Sequence, residues 1–255
     1  MRFLALAALT AGMAGFASLG TAQGPMAGTA AAASATQPKA VVELFTSQGC
    51  SSCPAADALF EHYADREDIV ALSLSVDYWD YLGWKDTLAS PKFSERQKAY
   101  AEARRDGMMY TPQMVVNGLS HTNGADKIKI EHAIEKSLKG GPALKVPINL
   151  SVDHAKLTVE IGAAPDGAQK DATLWLAVIA RKVQVPIKRG ENTGRTITYN
   201  NVVRELTPIG MWSGKAMKVQ LERDSFQRAD SERCAVLLQQ GKAGPIVGAA
   251  MLKKF

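Results

Sequence analysis

Cys50 and Cys53 form a Cys-x-x-Cys pair at the point where one regular pattern replaces another. Before the pair, residues 41–45 form an apolar run with one acid, which is typical of a strand covered on both faces. After it, Pro54 suits a first helical turn, Asp57 complements the helix dipole, and apolar residues recur at helical spacing. The sequence therefore predicts that both cysteines lie at a strand-to-helix junction, and this constrains the fold around them.

Apolar patterns continue the alternation of strand and helix as far as residue 142. A period of two predicts a strand at 70–76, and a helical pattern predicts a helix at 92–106. Asn117-Gly118 is a strong turn signal between two short strands. A last amphipathic helix ends at Gly140-Gly141, so the predicted order is β-α-β-α-β-β-α.

The period-two pattern predominates from Val146 onward. It predicts about seven strands, with Asp153-His154 as an early turn. We predict an all-β antiparallel sandwich domain over residues 143–255, without an evident catalytic constellation.

The N-terminal 39 residues are interpreted as a targeting segment followed by a tether. Residues 3–22 carry no charge, and Gly20-Thr21-Ala22 is a small-x-small site, which predicts a signal peptide at 1–22. An uncleaved membrane anchor is the alternative. Residues 23–39 are typical of a flexible tether, and no later stretch is long and apolar enough to span a bilayer. We therefore expect a soluble mature protein, periplasmic or secreted, in a compartment where disulfides persist.

The sequence from Glu43 to Pro54, with Tyr110-Thr111-Pro112-Gln113 further on, resembles a family of secreted bacterial thioredoxin-like proteins, domain of unknown function 1223. The resemblance covers nearly all of the mature chain. It implies an α/β thioredoxin-like domain at 40–142, followed by the sandwich domain. It also implies that Cys50 is the attacking cysteine and Cys53 the resolving one.

Three further site residues rest on the same resemblance. It implies that the Thr111-Pro112 bond is cis and faces the cysteine pair, with the backbone of Thr111 open to an extended substrate; an ordinary trans proline is the alternative. Glu43 would be a buried proton acceptor beneath the second cysteine. Its spacing to Cys50 is one residue longer than in thioredoxins, so the alternative is a structural Glu bonded to a loop or to the second domain.

The predicted junction gives the cysteines a defined chemistry. A helix N-terminus favours thiolate over thiol, so Cys50 would attack a partner disulfide and Cys53 would then resolve the mixed disulfide. We predict an extracytoplasmic thiol-disulfide oxidoreductase whose partners are protein or small thiols and disulfides, together with a redox partner. The alternatives are a soft-metal (copper) handling protein and a binding module with a structural disulfide.

Other chemistry finds little support in the sequence. The net charge of +5 is spread without a long basic run, which argues against nucleic acid as a partner. No catalytic triad, phosphate-binding glycine loop or His-x-x-x-His pair is readable, so we predict no cofactor and no metal site.

Three features leave alternatives open. The aromatic segment 78–84 is either a platform for an unfolded partner or local packing. The polar segment 188–195 is either a loop that packs over the redox site or holds an acidic partner group, or a hydrated hairpin. Cys234 is either a small buried hydrophobe or a third redox thiol or metal ligand.

Overall fold

The structure is a computed structural model, which describes residues 37–139, 141–166 and 171–254. The predicted signal peptide and nearly all of the predicted tether lie outside these residues. Three α-helices are described: α1 (Cys53–Ala64), α2 (Pro91–Arg104) and α3 (Lys127–Leu138). The strands are β1 (Ala40–Thr46), β2 (Ile69–Ser75), β3 (Gln113–Val116), β4 (Ser120–Asn123), β5 (Ile148–Val152), β6 (Lys156–Ile161), β7 (Ala172–Pro186), β8 (Thr196–Trp212), β9 (Met217–Glu222), β10 (Arg233–Gln240) and β11 (Ile246–Leu252).

Eight of the strands form one mixed sheet, in the order β11-β10-β7-β8-β2-β1-β3-β4. β1 is parallel to β2 and antiparallel to β3. β5, β6 and β9 form a separate antiparallel sheet. None of the described helices has the length and hydropathy needed to cross a membrane.

The predicted fold class is wrong, although the predicted order of elements over 40–142 is confirmed. The protein is a mostly-β mixed sheet of eight strands with a small three-stranded sheet, not an α/β thioredoxin-like domain followed by an all-β antiparallel sandwich. Strands from 40–142 and from 143–255 share the large sheet, because Val202 of β8 pairs with Ser73 of β2 in parallel.

Asn201 connects the two halves of the chain by hydrogen bonds. This residue is buried and has a left-handed backbone, with φ 48°. Its side-chain amide donates to the carbonyl oxygen of Ala71 in β2 at 3.0 Å, and its Oδ1 accepts a hydrogen bond from Arg233 of β10 at 2.7 Å. The edge of β2 is therefore covered by the second half of the chain.

Helices cover both faces of the sheet around β1. Alternation along β1 turns Val42 and Leu44 toward α1 and α3, while Val41 and Phe45 face Tyr100 of α2. The core on the α2 side continues without interruption into β7, β8, β10 and β11. The small sheet packs against the other face of those later strands and buries a second apolar core.

Candidate functional site

Cys50 and Cys53 are joined by a disulfide at the beginning of α1. Cys53 is the first residue of the helix, and its N–H donates to the carbonyl oxygen of Cys50 at 3.2 Å. Cys50 Sγ lies 3.4 Å from the hydroxyl oxygen of Ser52. Cys50 is 2% exposed and Cys53 0%, so the disulfide is almost fully covered, whereas Ser51 and Ser52 beside it are exposed.

The cysteine loop, residues 47–52, carries Cys50 and leads into Cys53 at the beginning of α1. The aromatic segment 78–84 holds this loop in place. Trp84 Nε1 donates to the side-chain oxygen of Gln48 at 2.8 Å. Trp79 packs against Gly49, where an added Cβ would come within 3.0 Å of Trp79 Cβ. These two tryptophans support the cysteine loop, while Tyr81 is 78% exposed.

Thr111-Pro112 has a cis peptide bond, as predicted. The indole N–H of Trp79 donates to Thr111 Oγ1 at 2.8 Å, so Trp79 connects this segment to the cysteine loop. Pro112 and Ala56 of α1 both border Gly124, at 3.2 Å from the position of an added Cβ. The proline segment therefore lies near the first turns of α1.

Glu43 lies on the opposite face of β1 from α1. Its carboxylate accepts a hydrogen bond from Arg96 Nε at 2.6 Å and another from the hydroxyl of Tyr100, and both of these residues belong to α2. Arg96 also donates to Gln239 of β10 at 3.0 Å. The structure thus places Glu43 in a buried network between α2 and the later strands, and not beneath Cys53. This agrees with the alternative of a structural Glu, which its one-residue-longer spacing to Cys50 had left open.

Asp57, which the sequence indicates only as a complement to the dipole of α1, is a buried acid near the cysteines. It lies four residues after Cys53 on the buried face of α1 and is 2% exposed. Thr46 donates to its Oδ1 at 2.8 Å, and Oδ2 has no hydrogen-bond partner among the described residues. Burial raises the pKa of Asp57 to about 8, Thr46 opposes this rise, and the charge of Asp86 adds to it. An acid on the apolar face of the helix, one turn after the second cysteine, was the signal available in the sequence.

A second buried acid supports the cysteine loop directly. Asp86 accepts hydrogen bonds from the backbone N–H groups of Gln48 and Leu88, both at 2.8 Å. Burial raises its pKa to about 6, against the effect of these donors. The hydroxyl of Tyr199 is also buried, without a partner in the described part of the chain, and burial and both acids raise its pKa. The cysteines therefore stand next to a buried polar cluster that the sequence did not reveal.

The segment 188–195 packs over the cysteine loop, in agreement with the first of its two interpretations. Asn192 is 1% exposed, and its side-chain amide donates to the backbone carbonyls of Gln48 and Cys50, each at 2.9 Å. Gly190, at φ +80°, approaches Trp84 Cβ. The connection between β7 and β8 is thus fixed against the backbone of the cysteine loop.

Cys234 does not contribute to this site, and the described residues offer no cluster of metal ligands. Cys234 is fully buried in β10, and burial raises the pKa of its thiol to about 12. Within the described ranges, no group of three or more His, Cys, Asp or Glu side chains is arranged to hold a metal ion.

The chain resembles one described protein family and two solved structures. No curated protein matches the chain. A crystal structure of a structural-genomics target protein from Agrobacterium tumefaciens is 37% identical, covers 85% of this chain and 95% of its own, and superposes with a TM-score of 0.76. HBP35 of Porphyromonas gingivalis shares the fold at 14% identity, covering 86% of this chain and 76% of its own, with a TM-score of 0.59. The family described as "Protein of unknown function (DUF1223)" matches residues 41–239, and the chain belongs to this family.

Proposed function

We propose that the protein is a thiol-disulfide oxidoreductase, with the Cys50–Cys53 pair as its reacting group and protein or small thiols as its substrates. One observation carries the proposal: a disulfide at a helix N-terminus has a buried acid, Asp57, one helical turn away with one oxygen unpartnered. A disulfide that only cross-links the chain needs no such group. An acid kept buried without full hydrogen bonding costs stability, and such groups cluster at functional sites.

In the reduced protein, the Cys50 thiolate would attack one sulfur of a substrate disulfide. A bond forms between Cys50 Sγ and that sulfur, and the other substrate sulfur leaves as a thiolate. Cys53, once deprotonated, then attacks Cys50 Sγ and displaces the second substrate thiolate. The protein ends as the disulfide and the substrate as two thiols; the reverse sequence oxidises a substrate dithiol.

Asp57 would move the proton that this second step requires. Residues four apart on a helix lie on one face, with Cβ atoms about 5–6 Å apart, so Asp57 is within reach of Cys53 directly or through one water. Its pKa of about 8 is close to the ordinary pKa of a thiol, about 8.5, so the proton can pass in either direction at small cost.

The proposed location is outside the cytoplasm, in the periplasm or secreted. This rests on residues 1–22, which have the charge and hydropathy of a signal peptide. Mass spectrometry of the protein purified from its native compartment should find an N-terminus at residue 23. An intact Met1 in the cytosolic fraction would contradict the location.

The function is tested by trapping a mixed disulfide. The reduced Cys53→Ser variant, mixed with glutathione disulfide, should accumulate one glutathione on Cys50, whereas the Cys50→Ser variant should accumulate much less. Reduced wild-type protein should convert one glutathione disulfide to two glutathione thiols and recover its internal disulfide. A Cys50–Cys53 disulfide that resists mild reductant while the protein stays folded would establish a structural cross-link and overturn the proposal.

A further inference from the structure

The loop that covers the cysteines carries an excess of positive charge. Lys188, Arg189 and Arg195 are exposed, and Glu191 is the acid among residues 188–195. None of the three cations lies within 4.0 Å of a carboxylate in the part of the chain that the structure describes, unlike the nearby Lys182, which pairs with Glu61. Cations without partners next to a reacting group are available to a substrate.

Asn192 fixes the position of these charges. It is the buried residue in the middle of the loop, and its two hydrogen bonds reach the carbonyl oxygens of Gln48 and Cys50. Arg189 and Arg195 are each three residues from this anchor. Asn192 therefore anchors the loop that carries these cations to the backbone of the cysteine loop.

Arg195 also borders a cavity of about 470 Å³ that opens beside the helix carrying Cys53. Pro54 and Ala58 of α1 line one side, and residues 195–198 at the beginning of β8 line the other. Glu61 lies in the same cavity, where Lys182 neutralises it at 2.9 Å. A small thiol bound here would have its charged group near Arg195 and would lie beside Pro54, the residue that follows Cys53.

We propose that the loop of residues 188–195 selects anionic thiols and disulfides as substrates of the Cys50–Cys53 pair. This inference rests on the proposed function. Lys188, Arg189 and Arg195 attract the carboxylate or sulfonate of the substrate, and the partial positive charge at the N-terminus of α1 acts in the same direction. Attraction between exposed charges is screened over about 8–10 Å at physiological salt, so the preference depends on ionic strength.

Three thiols of nearly equal size test the inference. 2-Mercaptoethanesulfonate is anionic, 2-mercaptoethanol is neutral and cysteamine is cationic, and each reduces the Cys50–Cys53 disulfide by the same exchange. Rates are compared at equal concentrations of thiolate, with thiol labelling and mass spectrometry as the readout. The anionic thiol should react about tenfold faster than the cationic one at low salt, and the difference should shrink at high salt.

Charge-neutralising variants assign the effect to the loop. Arg189→Gln/Arg195→Gln should remove most of the preference, so that the anionic and cationic thiols react at nearly equal rates. The matched control, Lys92→Gln/Lys242→Gln, removes two exposed lysines around a different cavity and should keep the preference.

The possible failures are distinguishable. Exchange at similar rates with all three thiols, or an equal loss of preference in both double variants, overturns the selection of anionic substrates and leaves the oxidoreductase intact. No exchange with any of the three thiols overturns the proposed function itself.

Discussion

Arg96 Nε donates to Glu43 Oε1 at 2.6 Å, and the side chains of both residues are at least nine-tenths buried. The guanidinium also donates to Gln239 and to the hydroxyl of Tyr100, at 3.0 and 2.8 Å. One ion pair therefore joins β1, α2 and β10, which lie far apart in the sequence. The acid in the central strand stabilises the junction between the two halves of the chain on the face away from the cysteines.

Glu43→Gln should lower the free energy of unfolding by about 3–5 kcal/mol, because it leaves the buried charge of Arg96 without a counter-ion. The rate of thiol-disulfide exchange in the folded protein should not change. Urea unfolding and single-turnover exchange measure the two effects. Glu222→Gln, which removes one partner of the exposed pair with Lys156, is the control and should cost less than about 1 kcal/mol. Slowed exchange in stable Glu43→Gln protein would instead give this acid a role at the cysteines.

The positions of strands and helices could be predicted because they depend on local periodicity. The cysteine junction, α2 and the Asn117-Gly118 turn all occur where the patterns indicate. The order of strands in the sheet could not be predicted from the sequence, because it depends on contacts between distant residues. A period-two pattern is the same for a strand in a separate sandwich and for β8, which adds to the edge of β2 through Val202 and Asn201.

Those residues of the candidate site that stand in local motifs could be predicted, and those that depend on contacts between distant residues could not. Cys50, Cys53 and Thr111-Pro112 stand in local motifs, and the structure brings them to one region. Asn192 reaches the cysteine loop from more than 140 residues away, and no local pattern specifies its partner. Spacing places Asp57 on the apolar face of α1, but its hydrogen bond from Thr46 and its proximity to Asp86 depend on the fold.

Gly118→Ala should destabilise the protein more than Gly107→Ala. Both glycines have a left-handed backbone, with φ +69° and +63°. A Cβ at Gly118 would lie 2.3 Å from the carbonyl oxygen of Gly244, whereas Gly107 faces open space. Both variants carry the cost of the left-handed backbone, about 1–2 kcal/mol. The clash should add about 1–3 kcal/mol at Gly118 alone, measured by urea unfolding. Equal costs for the two variants would show that the turn at Gly118 does not pack against the turn at Gly244.

Cys234 should not react with iodoacetamide at pH 8 while the protein is folded. Burial removes access and raises the pKa of the thiol to about 12, so almost no thiolate is present. The Cys50→Ser/Cys53→Ser variant contains this one thiol and allows its labelling to be followed by mass spectrometry, with urea-unfolded protein as the positive control. Rapid labelling of the native variant would support the alternative of a third redox thiol.

Asp57→Asn should change how stability depends on pH between 6 and 8. The folded-state pKa of Asp57, about 8, is above its ordinary value of 3.8, so the folded protein holds a proton that the unfolded chain has already lost. Stability must then fall as the pH rises toward 8, by about 1.4 kcal/mol per pH unit from this one group. Asp86, whose pKa is raised to about 6, contributes mainly below this window.

Urea unfolding of the disulfide-intact protein at several pH values measures this dependence. Wild-type protein should lose about 2 kcal/mol more than Asp57→Asn between pH 6 and pH 8. Asp126→Asn is the control, because Asp126 is partly exposed and the N–H of Lys129 lowers its pKa, so it is ionised throughout this range in both states. Parallel curves for wild type and Asp57→Asn would mean that Asp57 is already ionised in the fold, and at neutral pH it could then accept a proton from Cys53 but not return one in the reverse reaction.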